Sequence, residues 1–171
     1  MALTDEIILR DWHPSDASTL VRILNNFHIS TQLPHLLPSP YTLRHARVFI
    51  GMTNCCGNRL EKAIEQAGTI VGGISLIPQE DIWRKNAELR FFLDEIHWKS
   101  GIMSCALAKM IRYIFDNFDF ERIYSPILEG NDAGVRVLEK VGFTQEGLLR
   151  KAAYKEGKSQ NVSLYSILRK E

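Results

Sequence analysis

Apolar positions in this chain recur with two periods, and the switch between them marks out the elements. Residues 87–93 (AELRFFL) read as a strand, and residues 94–101 (DEIHWKSG) as a loop. Residues 102–118 then show helical spacing through Cys105, Ala106, Met110, Ile114 and Phe118. A second strand (ERIYSPIL) and a helix opening at Asn131 follow. Upstream, residues 6–12 read as a strand, and Pro14 with Asp16 begins a helix whose face carries Leu20, Ile23, Leu24 and Phe27. Pro34, Pro38 and Pro40 hold residues 32–41 as a loop. Thr42 caps a second helix burying Leu43, Ala46, Phe49 and Ile50, and Gly57 stops it. Residues 62–66 and 69–77 form a hairpin turning at Ala67-Gly68, with Gly72-Gly73 marking a bulge or a close approach, and Pro78 ends it. The tail gives strands over residues 144–150 and 159–169, joined near Glu156-Gly157-Lys158. The order β α α β β β α β α β β implies one parallel crossover flanked by hairpins, hence a mixed, mostly antiparallel α/β sheet.

Composition narrows this frame. A chain of 171 residues, 45% hydrophobic and 24% charged, is expected to form one domain, residues 1–171. A net charge of +1 gives no reason to expect nucleic acid. No apolar run approaches a membrane span. The start, MALTDEIILR, lacks a signal-peptide shape, and three cysteines make neither a disulfide framework nor a zinc spacing. A cytoplasmic protein with reduced thiols and no metal is the expectation, a monomer or homodimer.

The loop before the long helix carries candidate chemistry. Lys99-Ser100-Gly101 leads into a helix start, where backbone amides have no internal partner and the dipole is positive. Gly101 lets those amides converge on phosphate oxygens, Lys99 adds a charge and Ser104 a hydroxyl. Pro126 cannot donate to a ladder, so if its strand lies beside residues 89–93 the two part there and leave backbone groups for a ligand's amide arm. Asn131-Asp132 opens the next helix as a cap, a role compatible with ligand contact.

These residues resemble a GNAT-superfamily acetyltransferase over nearly the whole chain. AELRFFLDEIHWKSGIMSCAL, ERIY and NDAGVRVLEKVGFTQEGLLRKAAYKEGKSQNVSLYSIL carry the likeness, closest to the branch that acetylates N-terminal amines of ribosomal proteins. The resemblance implies helices on both faces of a sheet whose central parallel pair is splayed. It implies acetyl-CoA as donor, with pantetheine along the backbone of Phe91, Phe92 and Leu93. Pyrophosphate would lie on Lys99, Ser100, Gly101, Ile102, Met103 and Ser104, with Asn131 near the reactive end. Direct transfer in a ternary complex, without metal, is the implied mechanism. Some positions depart from the family pattern: Trp98, Met103, Gly134, Leu138, and Ala153 before Tyr154.

An amine attacks a thioester only when unprotonated, so a base is required. Glu88, on the central strand, is the candidate catalytic residue together with Asn131. A backbone N–H of Phe91 or Phe92 would polarise the carbonyl, and Ser125, Tyr124 and Tyr154 are candidate proton donors. The acceptor, a small amine or a protein N-terminus, would meet Phe27, His35 and Tyr41, with His28 and Leu36 beside them. Two alternatives stand against an N-acetyltransferase: a degenerate acyl-CoA-binding sensor or scaffold, and an unrelated phosphate-binding α/β domain.

Overall fold

The computed structural model describes residues 7–34, 36–55 and 59–169. One seven-stranded sheet runs β1 (Ile7–Arg10), β2 (Leu60–Gln66), β3 (Thr69–Pro78), β4 (Asn86–Leu93), β5 (Arg122–Leu128), β7 (Lys158–Leu168) and β6 (Thr144–Lys155) from edge to edge. Every neighbouring pair is antiparallel except β4 and β5. The helices are α1 (Ala17–Leu24), α2 (Phe27–Ser30), α3 (Leu43–Cys55), α4 (Ile102–Asn117) and α5 (Asp132–Lys140). No helix among the described residues is long and apolar enough to cross a membrane.

Period-two alternation gives the sheet two buried faces. Ile64, Val71, Ile74, Leu76, Ala87, Leu89 and Leu93 pack with α4 and α5. Ala63, Ile70 and Phe92 turn the other way, towards Trp12 and the cluster built by α1, α2 and α3. The layout agrees with the sequence expectation of helices on both faces of a mixed sheet. The β2–β3 turn has positive φ at both Ala67 (49°) and Gly68 (77°), as does the β6–β7 turn at Glu156 (52°) and Gly157 (75°). Two consecutive left-handed residues twist with the strands, which suits two-residue hairpins.

Several expectations need adjusting. The first helix ends at Leu24, and Asn26 turns extended and caps α2 by accepting from the His28 N–H. Phe27 is therefore rotated off the buried face and lies 68% exposed. Leu43 sits in the first turn of α3 and is also exposed. Phe118 follows the last turn of α4 in extended conformation and packs on Tyr113 and Phe120 instead. The strand expected over 144–150 continues to Lys155 across a bulge between Leu149 and Ala153. The Gly57 stop, Glu6 and His35 lie outside the described residues.

Gly72 and Gly73 answer to close approach. A Cβ on Gly72 would lie 2.3 Å from the Phe92 carbonyl oxygen, and one on Gly73 2.8 Å from the Trp12 ring and 2.9 Å from the Phe92 ring. Both glycines let β3 and the stacked Trp12–Phe92 pair (centroids 6.4 Å apart) press against β4. Gly72→Ala should therefore destabilise the protein by about 2–3 kcal/mol. Gly147→Ala, where a Cβ meets nothing within 4 Å, should stay within about 0.5 kcal/mol. Urea unfolding of the two variants checks the difference.

Candidate active site

The parallel pair at the centre of the sheet is joined over three rungs only: Asn86 with Arg122, Ala87 with Ile123, and Glu88 with Tyr124. Beyond them β4 continues to Leu93 on β3, and β5 continues to Leu128 on β7. The strands have parted by Ser125, one residue before Pro126, and Pro126 stays in register with Leu164 of β7. The Ser125 hydroxyl donates to the Leu89 carbonyl at 2.9 Å, closing the narrow end of the split.

Strand alternation says which backbone groups edge the split. The Asp94 N–H donates to Val71 on β3, and the Phe92 carbonyl lies against Gly72. Even-numbered residues here thus face β3, and the backbone of Leu89, Phe91 and Leu93 faces the gap. Consistently, the Leu89 carbonyl takes Ser125, and the Leu93 carbonyl takes the Trp98 indole N–H at 2.9 Å. The Phe91 N–H and C=O and the Leu93 N–H remain along the open edge. Phe92, grouped with them from the sequence, offers the gap no backbone group.

A cavity of about 580 Å³ opens at this edge. Phe91, Phe92 and Leu93 of β4 line it together with Gly101, Met103 and Ser104 at the start of α4 and Asn131 and Gly134 at the start of α5. Gly101 caps α4 in the left-handed region (φ 83°), with no atom within 4 Å of where a Cβ would stand and no side chain of its own to cover the helix start. Ser100 turns inward on its own loop, its hydroxyl donating to the His97 carbonyl at 2.5 Å and accepting from the Ile102 N–H at 3.4 Å. His97 also lines the cavity, and Lys99, Arg136 and Lys140 make it cationic. The bare helix start, the open glycine and this charge suit a polyanion with an extended arm, as coenzyme A is.

Two departures from the family pattern acquire structural reasons. Met103 is 5% exposed and packs into the core beneath α4. Asn131 caps α5 by accepting from the Gly134 N–H at 2.9 Å, and a Cβ at 134 would stand 2.9–3.1 Å from the Asn131 side chain. A glycine at 134 thus leaves that amide its place. Leu138 is buried in the core, and Ala153 borders the β6 bulge.

Glu88 stands at the last rung before the split, on the face shared with Phe92, and does not line the cavity. Its carboxylate pairs with the Arg90 Nε at 2.5 Å and stands in register with Tyr124 of β5. Burial first, then the charge of Glu88, pushes the Tyr124 phenol above its usual value. Across β3 lies Glu61, a buried carboxyl receiving the Ser75 hydroxyl; burial pushes it up to about 7 against the pull of Ser75, Arg59 and Arg90.

Of the acceptor-binding candidates, Phe27 points to solvent and lies outside the cavity lining, and Tyr41 is a core residue. Tyr41 packs on His45, and burial raises its phenol to about 12. The same segment instead contributes Ile29, Gln32 and Leu33 to the cavity wall. Lys155 holds this wall from β6: its buried ammonium donates to the Ser30 and Leu33 carbonyls at 2.6 and 2.7 Å. Sequence reasoning missed Arg136, Lys140 and Lys155. The i, i+4 spacing of Arg136 and Lys140 on the helix after Asn131 could have flagged the first two; nothing local flags Lys155.

The splayed pair in a mixed sheet, with a helix N-terminus at its open end, defines the class. The chain belongs to the acetyltransferase (GNAT) domain family, whose model matches residues 6–144, and with it to the N-acetyltransferases. It is 27% identical to the uncharacterized N-acetyltransferase p20 of Bacillus licheniformis over 98% of this chain and 96% of that protein. It is 30% identical to the putative ribosomal N-acetyltransferase YdaF of Bacillus subtilis (strain 168) over 67% of this chain and 62% of that protein. The solved structure of RimL, a ribosomal L7/L12 alpha-N-protein acetyltransferase in complex with coenzyme A, superposes with a TM-score of 0.85 at 22% identity, covering 97% of this chain and 96% of that one.

The raised Glu61 carboxyl has a consequence for stability. Its folded-state value exceeds the unfolded one, so the stability it contributes is full below pH 4.5 and lost as pH rises through about 7. Glu61→Gln should flatten this fall, so that melting temperatures at pH 5 and pH 8 differ less than in the parent.

Proposed function

We propose that this protein is an acetyl-CoA-dependent N-acetyltransferase acting on a primary amine, either a peptide or protein N-terminus or a small molecule, by direct attack in a ternary complex. The observation that carries it is the backbone edge of Phe91 and Leu93 left unpaired beside the glycine-led start of α4. That edge would hold the amide arm of coenzyme A as an added strand. The amides from Gly101 to Ser104, with Lys99, would hold its pyrophosphate, and Arg136 and Lys140 on α5 add positive charge at the rim. Asn131 lines the cavity with its oxygen committed to the cap, so its amide N–H group is the one that would meet the cofactor.

Bound acetyl-CoA supplies the acetyl group as an activated thioester. The rest falls to the chain. The Phe91 N–H is the donor placed to receive charge on the thioester oxygen. Glu88, beside the narrow end of the split, takes the proton from the acceptor amine, directly or through water. Tyr124, kept protonated by burial and by Glu88, is poised to give a proton to the departing sulfur. The YdaF and RimL likenesses support a peptide N-terminus as the first acceptor to try.

Thiol release from acetyl-CoA across a library of free-N-terminus peptides and small amines tests the reading; release with none of them would contradict it. Glu88→Gln should lower kcat by roughly 10²–10⁴-fold while acetyl-CoA still binds; unchanged turnover at every pH removes Glu88 from the mechanism. Gly101→Asp should abolish acetyl-CoA binding in calorimetry, since a side chain at φ 83° is strained and a carboxylate there repels phosphate.

A further inference from the structure

Behind the split, the face of the sheet that carries Glu88 holds a row of charge that the reaction as described does not use. Glu61 is in register with Ser75, and Ser75 with Arg90, so three side chains stand side by side across β2, β3 and β4. Along β4, Arg90 and Glu88 are two residues apart and therefore share that face. Arg90 thus has a carboxyl on two sides. Its Nε is 2.5 Å from Glu88 Oε1, while its charge also acts on Glu61, which Ser75 binds from between.

We propose that Glu61 is a positioning residue for Glu88: the two carboxyls share the Arg90 guanidinium, and the charge state of Glu61 sets how firmly Arg90 holds Glu88. The inference rests on the reading of Glu88 as the group that takes the acceptor's proton. A guanidinium has five donors in a planar fork, enough to serve two carboxylates. While Glu61 is protonated, Arg90 serves Glu88 alone and pins its carboxylate. When Glu61 ionises it draws on the same cation, and Glu88 is freer to accept a proton from an incoming ammonium.

The surroundings leave Arg90 as the cation that Glu61 and Glu88 have in common. Arg59, just before β2, is the other cation acting on Glu61 and the stronger of the two, and β3 contributes only the Ser75 hydroxyl. On β1's side the charges are already paired: Arg10 with Asp16 and Glu65, and Asp11 with Lys62. On β5's side Tyr124 stands beside Glu88 in register, and Arg122 is paired with Glu146. Burial holds the Glu61 carboxyl near neutrality, where a small change in its surroundings changes its charge.

Sharing is reciprocal, so it can be read without any reaction. The test is NMR titration of the protein with 13C-labelled glutamate carboxyls, without acetyl-CoA, with Glu61→Gln used to assign the Glu61 signal. Glu88→Gln should lower the Glu61 midpoint by about half a pH unit or more, because Arg90 then serves Glu61 alone. Arg90→Gln should raise it. A midpoint unmoved in both folded variants overturns the proposal. In the acetyl-transfer assay, Glu61→Gln should remove a near-neutral limb from the pH profile of kcat and leave the Kd for acetyl-CoA unchanged; a retained limb also overturns it. If Glu88→Gln shifts Glu61 yet keeps full turnover, the sharing stands and the role given to Glu88 falls.

Discussion

Three rungs of parallel pairing between β4 and β5, ending at Glu88 and Tyr124, constrain the rest of the molecule. A strand in the middle of a sheet normally satisfies both of its edges, and a buried amide left unmade costs about 1–3 kcal/mol. Here one edge of β4 is released over its last residues while the other stays fully joined to β3. The neighbouring structure is arranged so that this costs little. Ser125 and Trp98 satisfy the carbonyls at the two ends, and what stays open is a short stretch centred on Phe91. A ligand bearing its own amide groups can complete it.

The same constraint explains the packing around β4. With β5 diverging, β4 depends on β3, and Gly72 and Gly73 let the two strands and the Trp12–Phe92 stack approach without side chains between them. At the far end of the strand, Arg22 pairs with the buried Asp94, and Asn26 donates to Glu95, so α1 and α2 are fastened to the loop that leads into α4. Lys155 fastens the next turn of the same wall from β6. The cavity is therefore framed by elements far apart in sequence, each held by one or two polar contacts.

How much of this the sequence disclosed depends on range. Gly101 before an amphipathic helix, Asn131 as a cap and the Gly72-Gly73 approach were legible because each is a local backbone requirement written in residue type. The mixed sheet followed from element order, and the parting of the strands from proline chemistry, although it begins one residue before Pro126. Phe92 was misgrouped because alternation of the backbone, unlike that of side chains, is fixed only once the partner strand is known. Tyr41 and Phe27 were misplaced for a related reason: the break at Asn26 re-aims one, and the packing of α3 on α1 buries the other. Lys155 reaches carbonyls more than 120 residues away, and no local pattern encodes that.

Amide hydrogen exchange along β4, with and without coenzyme A, bears most directly on the claim that the unpaired edge is a binding edge. The account predicts that Phe91 and Leu93 exchange fast in the free protein and at least ~10-fold slower at saturating coenzyme A. Phe92, which faces β3, should be slow in both. Phe91 and Leu93 amides already protected in the free protein, or unchanged by the ligand, would contradict it.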